Sequence, residues 1–298
     1  MSFELSNIKN KFKIADQIWD YAIKGIGEKT LCDIYYDYIE KKDFIKREQS
    51  LILESLDELL GSTCYIRTRI KDKEHLIEKI VRNYTEKAAT EKYQGINEKN
   101  YHNIITDLIG FRILLFERNK WEKVNAHLMK TYEYNADFFL DKKDQQSCDN
   151  PHFAEEPKAY IVDEDPEAYR KKRLTPDDSK AKIKYRSLHY TVKHKSFYSE
   201  IQVRTIFDEG WLEFDHLIKY PYDKDNIMKC DLLLLLSNIA KTADDMILFH
   251  SKYEAVFNEN GKVDKQKKHS MTTKDVLSNK NKIDTNINNT QLSAGALS

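Results

Sequence analysis

Three short stretches hold the side chains most able to do chemistry. In Ser199 to Arg204, Ile201 and Val203 alternate with Glu200, Gln202 and Arg204, the period-two pattern of a half-buried strand. Tyr190 and Val192 alternate in the same way just upstream. A strand pair here presents a carboxylate, an amide and a guanidinium on one face, and each needs a partner or water. An exposed, solvated strand face is the alternative. Further upstream, Arg67, Arg69 and Lys71 alternate with Thr68 and Ile70, so an extended backbone points three cations one way. Asp107-Leu-Ile-Gly-Phe-Arg-Ile113, followed by Leu114, Leu115 and Phe116, reads as a buried strand with an acid at its mouth and Arg112 inside it. A guanidinium there implies a phosphate or carboxylate partner. Basic side chains, two separated carboxylates and an aromatic suit a polyphosphate held with a divalent metal. Hard oxygens bind magnesium, arginine and lysine neutralise phosphate, and a tyrosine face stacks on a base.

The elements that position these groups follow from hydrophobic periodicity. Ile14, Ile18, Tyr21 and Ala22, then Ile34 and Tyr38, then Leu51, Ile52, Leu56, Leu59 and Leu60 recur at helical spacing, with a break at Gly25 and Gly27. These helices are expected to brace a sheet. Asp72 is a predicted N-cap for a helix whose buried stripe is Leu76, Ile77, Ile80 and Val81, leaving Lys79 to one side. Trp121, Val124, Leu128 and Met129 predict an amphipathic packing helix. Phe207, Trp211, Phe214 and Leu217 or Ile218 predict a core stripe, and Asp231 to Phe249 a closing helix. Between residues 141 and 182 the pattern collapses: four of the five prolines fall there, with acidic and basic clusters such as Asp163 to Asp165 and Arg170 to Arg173. A long surface excursion is expected, its basic cluster either a solvated face or an acceptor contact. After Phe257 no aromatic occurs, which predicts a disordered tail over 256–298.

At 298 residues with 40% hydrophobic content the chain suffices for a large core. With 49 cations against 49 acids there is no global basic field, so phosphate recognition must be local. Cys32, Cys64, Cys148 and Cys230 lack metal-ligand spacing, which suits reduced thiols and a cytoplasmic setting. No signal core or membrane-length apolar run is found.

Five segments taken in order, RTRIKDKEHLIEKI (67–80), DLIGFRI (107–113), KYRSLHY (184–190), EIQVRT (200–205) and WLEFDHLIKY (211–220), resemble the successive motifs of the RelA/SpoT synthetase domain. The resemblance spans about residues 40 to 255. That family transfers pyrophosphate from ATP to the 3′ hydroxyl of a guanosine nucleotide, making the alarmone (p)ppGpp. The resemblance implies an α+β fold, a mixed sheet flanked by helices and similar to nucleotidyltransferases. Residues 1–60 would form a helical brace and 61–255 the synthetase domain. Arg69, Lys71 and Lys79 occupy the positions that grip the ATP phosphates. Asp107 matches a magnesium ligand, and Glu200 the catalytic glutamate and second magnesium ligand. Tyr185 would stack on guanine and His189 reach a phosphate, with Gln202 and Arg204 completing the acceptor side. His216 and Lys219 match braces at the end of a family helix. For single residues the bland alternatives are a turn aspartate at Asp107 and a satisfied strand histidine at His189. One stretch departs from the pattern. Most members carry glycine just before the tyrosine and lysine four residues before it, whereas this chain has Lys184 and Ala181, with Lys180 and Lys182 flanking the latter.

The resemblance therefore implies a small, stand-alone pyrophosphokinase using magnesium, ATP and GDP or GTP. It admits a homo-oligomer or an antitoxin protein as partners and no membrane. A toxin-like enzyme placing pyrophosphate on the tRNA 3′ end is the alternative, favoured by the altered tyrosine flank and the basic cluster. A non-catalytic nucleotide-binding module is the third reading, opposed by the presence of both acids.

Overall fold

In this computed structural model the described residues are 5–56, 59, 63–86, 90–134, 151–194, 197–219 and 227–259. The chain divides into two units, Met1–Leu248 and Phe249–Ser298. In the first, four helices precede the sheet: α1 (Leu5–Lys11), α2 (Asp16–Ile26), α3 (Glu28–Glu40) and α4 (Lys42–Ser55). Then come β1 (Cys64–Ile70), α5 (Lys73–Thr85), the single turns α6 (Thr90–Tyr93) and α7 (Tyr101–Ile104), β2 (Ile109–Leu115) and α8 (Trp121–Thr131). Next follow β3 (His152–Phe153), β4 (Lys158–Tyr160), α9 (Pro166–Arg170), β5 (Thr175–Asp177), β6 (Ser187–His194) and β7 (Phe197–Thr205). α10 (Ile206–Lys219) and α11 (Ile227–Glu259) complete the set. In the second unit the described residues are the end of α11, where His250 faces Glu254 one turn on at 3.9 Å.

The strands form a seven-stranded sheet in the order β1-β2-β7-β6-β4-β5, with β3 also on β6. β2–β7 and β4–β5 are parallel and the other pairs antiparallel, so the sheet is mixed and flanked by helices, as expected. Register lines up chemistry across it. One row runs Arg67, Arg112, Gln202, His189, Lys158, and the next runs Arg69, Gly110, Glu200, Thr191. Cross-strand partners share a face, so these rows form a polar surface. The opposite face carries Ile66, Phe111, Ile113, Ile201, Val203 and Tyr190, all buried. α5 lays Leu76, Ile77, Ile80 and Val81 into the same core, and α8 adds Val124 and Leu128. The Tyr190 hydroxyl donates to Asn125 Oδ1 at 3.0 Å, satisfying the phenol inside the apolar layer.

Several expectations are corrected. The N-terminal region forms four helices, and the break is Gly27 alone, at φ +92°, where a side chain would be strained. Gly25 lies inside α2, where a Cβ would fall 2.2 Å from the Tyr84 hydroxyl oxygen. Ile18, Tyr21 and Leu51 are exposed, while Trp19, Ala22 and Ile52 face the core, because helix rotation is set by the best-packed stripe rather than by every apolar residue. Residues 151–182 are no mere surface excursion: they supply β3, β4, β5 and α9 and bury Phe153, Ala159, Tyr169 and Leu174. Residues 141–150 of that stretch, with Cys148, lie outside the described residues. On α10, Trp211 and Leu212 are buried, but Phe214 and Leu217 are exposed, so the predicted stripe fails over its second half. The predicted Asp72 cap is present, its carboxylate accepting from the Glu74 and His75 amides. The closing helix is longer than predicted, Ile227–Glu259, and residues 260–298 of the expected tail lie outside the described residues, as do Leu60 and the Lys219 side chain.

Candidate active site

At the polar face, the exit of β1 is tied to the entry of β2 by the Lys71 amide, which donates to Leu108 O at 2.9 Å. That junction sets Lys71 beside Asp107. Lys71 Nζ lies 2.7 Å from Asp107 Oδ2, and Lys79 Nζ, from α5, lies 2.8 Å from Oδ1. Burial by itself would raise the Asp107 carboxyl, but the two lysines outweigh it and hold it down at about 2. Lys71 is in turn held below its ordinary value, by burial first and then by neighbouring Lys79 and Arg69, with Asp107 offsetting only part. Lys71 and Lys79 thus share Asp107 in a cleft whose charged lining is Arg69, Lys71, Lys79 and Arg82 against Asp72, Glu78 and Asp107, with His75 and His216 beside them. The brace reaches this point through Tyr38 of α3, whose hydroxyl donates to Lys71 O at 2.6 Å.

A second cleft, sharing Arg69, lies over the sheet between Arg67, Gly110, Arg112, Glu200 and Gln202. Gly110 makes room for the Arg69 side chain: a Cβ there would lie 3.1 Å from Arg69 Cγ. The carboxylate partner implied for Arg112 is present twice, as Glu209 and Glu213 of α10, each 2.6 Å from Nη1. Glu209 also meets Arg67 at 3.3 Å.

His189 Nδ1 stands 3.3 Å from Glu200 Oε1, and its Nε2 stands 2.7 Å from the Tyr185 hydroxyl. Burial pushes His189 below its ordinary value, so the ring is neutral at pH 7. Burial would raise Glu200, but the hydrogen bond from His189, and after it that from Gln202, hold it below its ordinary value. An ionised carboxylate only accepts, so the imidazole proton sits on Nδ1 and Nε2 accepts from Tyr185. Tyr185, His189 and Glu200 therefore form a directed chain. Arg204, its side chain wholly buried, reaches the Tyr185 hydroxyl at 3.3 Å, Gln202 Oε1, and Glu209 at 3.6 Å, and so acts within the site wall.

The departures near Tyr185 have a geometric answer. Lys184 adopts φ 58°, ψ 29°, the left-handed conformation that glycine enters freely. Its amide bonds to Ala181 O and the Tyr185 amide to Lys180 O, the paired bonds of a Schellman turn. The turn returns Lys180 to Tyr185, its amine 4.6 Å from the ring centre.

Against known proteins, the family described as the region found in RelA / SpoT proteins matches residues 68–225. The chain belongs to the RelA/SpoT family. No curated protein matches it in sequence. Among solved structures, small alarmone synthetase 1 from Bacillus subtilis is 14% identical at TM-score 0.44, covering 73% of this chain and 96% of that one. The same synthetase bound to its product pppGpp is 16% identical at TM-score 0.42, covering 80% and 100%. A GTP pyrophosphokinase family protein from Streptococcus pneumoniae is 18% identical at TM-score 0.41, covering 78% and 92%.

Within this RelA/SpoT chain, the predicted residues Arg69, Lys71, Lys79, Asp107, Glu200, Gln202, Tyr185 and His189 gather on the polar face and its edge. Lys158 and Tyr160 join them without having been singled out, because a strand of three residues carries no readable period, and Glu209 joins from α10, whose sequence was read for its apolar stripe. The chemistry of Asp107 and Glu200, two ionised carboxylates whose charges act on one another, suits magnesium. Two carboxylates leave the other positions to phosphate oxygens and water, as that ion prefers.

Proposed function

We propose that this chain is an ATP-dependent pyrophosphokinase that moves the βγ-pyrophosphate of ATP to the 3′ hydroxyl of GDP or GTP, giving (p)ppGpp and AMP. The observation that carries the reading is the pairing of Lys71 and Lys79 on Asp107 in one cleft with Arg69, with the ionised Glu200 in the adjoining cleft that shares Arg69. A polyphosphate gives these cations further oxygens, and the lysines exchange from Asp107 onto them. The 3′ oxygen forms a bond to the β phosphorus, the bond from that phosphorus to the αβ-bridging oxygen breaks, and AMP leaves with the electron pair. Glu200 receives the hydroxyl proton, while His189 and Gln202 hold its carboxylate in place. Arg69 and the lysines stabilise charge gathering on the phosphates. Magnesium, when bound by Asp107 and Glu200, supplies further charge neutralisation there.

The state of the basic cluster favours a mononucleotide over the tRNA 3′ end. Arg170 pairs with Glu167, Lys172 with Glu122 at 2.9 Å, and Arg173 covers the Tyr134 ring at 5.5 Å, so three of its four cations already have partners. Incubation with γ-labelled ATP and GDP, GTP, ATP or deacylated tRNA tests the reading. Label on GDP or GTP with stoichiometric AMP is expected. Label on tRNA, falling steeply with salt, overturns the acceptor, and nucleotide binding without transfer to any acceptor overturns the enzyme.

A further inference from the structure

Glu209 lines neither cleft, yet guanidinium groups from three adjacent strands converge on it. Thr205 ends β7 and accepts from the Asp208 amide at 3.1 Å, so α10 begins at once and its first turn lies against the sheet. Glu209, in that turn, is 4% exposed and stands 2.6 Å from Arg112 of β2, 3.3 Å from Arg67 of β1 and 3.6 Å from Arg204 of β7. The three do not depend on it equally. Glu213, one turn on, also reaches Arg112 at 2.6 Å and Arg67 at 3.7 Å. Among the described residues, Glu209 is the one carboxylate paired with Arg204, whose side chain is wholly buried. A buried charge left without its partner is strongly unfavourable, so Arg204 stays where Glu209 holds it.

Arg204 is the origin of two hydrogen-bond routes to Glu200. A guanidinium donates and never accepts. Its Nη2 meets the Tyr185 hydroxyl oxygen at 3.3 Å, and that hydroxyl donates in turn to His189 Nε2, whose ring donates to Glu200 from Nδ1. The same Nη2 meets Gln202 Oε1, which leaves the Gln202 amide nitrogen for Glu200. Glu200, Gln202 and Arg204 alternate along one face of β7, so Glu200 is also the next acid that an unpaired Arg204 meets on that face.

We propose that Glu209 is a positioning residue for the base: it fixes Arg204 at the head of both routes and keeps that charge from pairing with Glu200. The effect on rate rests on the pyrophosphokinase reading. Without the Glu209 charge, Arg204 swings onto Glu200, displaces His189 and Gln202 from it, and occupies the oxygen that the hydroxyl proton needs. Glu209→Gln should therefore lower kcat for transfer to GDP about tenfold to a hundredfold, the range for loss of a group that orients an active-site side chain. The ATP KM should move less than about threefold, because Glu213 still holds Arg112 and Arg67. Arg204→Gln removes the intruding charge along with the routes and should cost only about twofold to fivefold, as lost hydrogen bonds do. The double variant should match Arg204→Gln rather than Glu209→Gln, since Glu209 acts through Arg204.

Initial rates of the parent and these variants, each normalised to the ATP-binding sites counted by equilibrium dialysis, separate a slower site from a smaller folded fraction. Recovery of kcat in the double variant is the expected result. A double variant as slow as Glu209→Gln, or Glu209→Gln with the parent's kcat, overturns the proposal. Should Glu209→Gln not fold, Glu209→Asp keeps the charge but withdraws it by one methylene; it should still lose kcat, and the parent's rate there overturns the proposal as well. A crystal structure of the same variant supplies a readout that needs no turnover: Arg204 on Glu200 is expected, and Arg204 still on Tyr185 and Gln202 sinks the role of Glu209. Absence of transfer by the parent overturns the enzyme reading, and the place of Arg204 in that crystal still decides what Glu209 does.

Discussion

Glu200 meets two demands through its neighbours. As the proposed base, it must stay ionised inside a buried site and point one oxygen at an incoming hydroxyl. The Nδ1–H of a neutral His189 and the Gln202 amide satisfy the first, holding the carboxyl below the ordinary 4.5. The sign follows directly: a carboxyl whose value is depressed remains charged as pH falls through the ordinary glutamate range. The kcat profile should therefore show no acid limb from Glu200 between about pH 8 and pH 5. Glu200→Gln keeps the shape and loses the charge, and should lower kcat by roughly 100-fold to 10,000-fold with little change in the ATP KM. A pH series of initial rates on both proteins checks the pair, and a Gln variant with nearly full activity would place the base elsewhere.

At the scale of single elements, two backbone positions decide what the side chains reach. Gly110 lies in β2 between Arg69 and Glu200, and an added methyl would approach Arg69 Cγ to 3.1 Å and Nε to 3.2 Å. Strand geometry tolerates alanine there, so Gly110→Ala should fold normally yet displace the guanidinium. The ATP KM is expected to rise about tenfold, since sub-ångström misplacement of a binding group is already felt. Lys184 carries the opposite problem, a left-handed residue with a side chain, at a cost of about 1–2 kcal/mol. Lys184→Gly should raise the thermal midpoint by roughly 2–4 °C and Lys184→Val should lower it, as read by thermal unfolding.

At the scale of the whole molecule, a phenol ties the N-terminal helices to the candidate site. Tyr38 donates to the Lys71 carbonyl at the β1–α5 junction, and its ring packs edge-on against Tyr101 at 6.3 Å. Tyr38→Phe leaves that carbonyl without its partner, costing about 1–3 kcal/mol, and loosens the backbone that aims Lys71. The expected outcome is a raised ATP KM with the acceptor KM unmoved, and equal changes in both would mean a general loss of fold instead. Elsewhere, Arg186 pairs with Asp208 at 2.6 Å and Arg118 with Asp244 at 3.0 Å. Both pairs tie the helices that follow β7 back to the body, as buried charges must be paired.

The sequence by itself determined the strands and helices long enough to show a period, and with them the identity of the main polar residues. Strands β1 and β7 alternate visibly, β2 reads as a buried apolar run, and Asp72 followed by an apolar stripe announces α5. Tertiary structure alone decided what has no local signal. Strands of two and three residues at β3, β4 and β5 exist because a sheet edge pairs their backbones, and only that pairing brings Tyr160 to the site. Exposure of Phe214 and Leu217 depends on which face of α10 the Glu209 and Glu213 carboxylates draw toward Arg112. The pairing of Asp107 with Lys71 and Lys79 joins residues 36 and 28 positions apart, and that of Lys180 with Tyr160 and Tyr185 joins residues 20 positions apart or brought round by a turn. Spacing along the chain does not encode such contacts, because they are fixed by register and packing between elements.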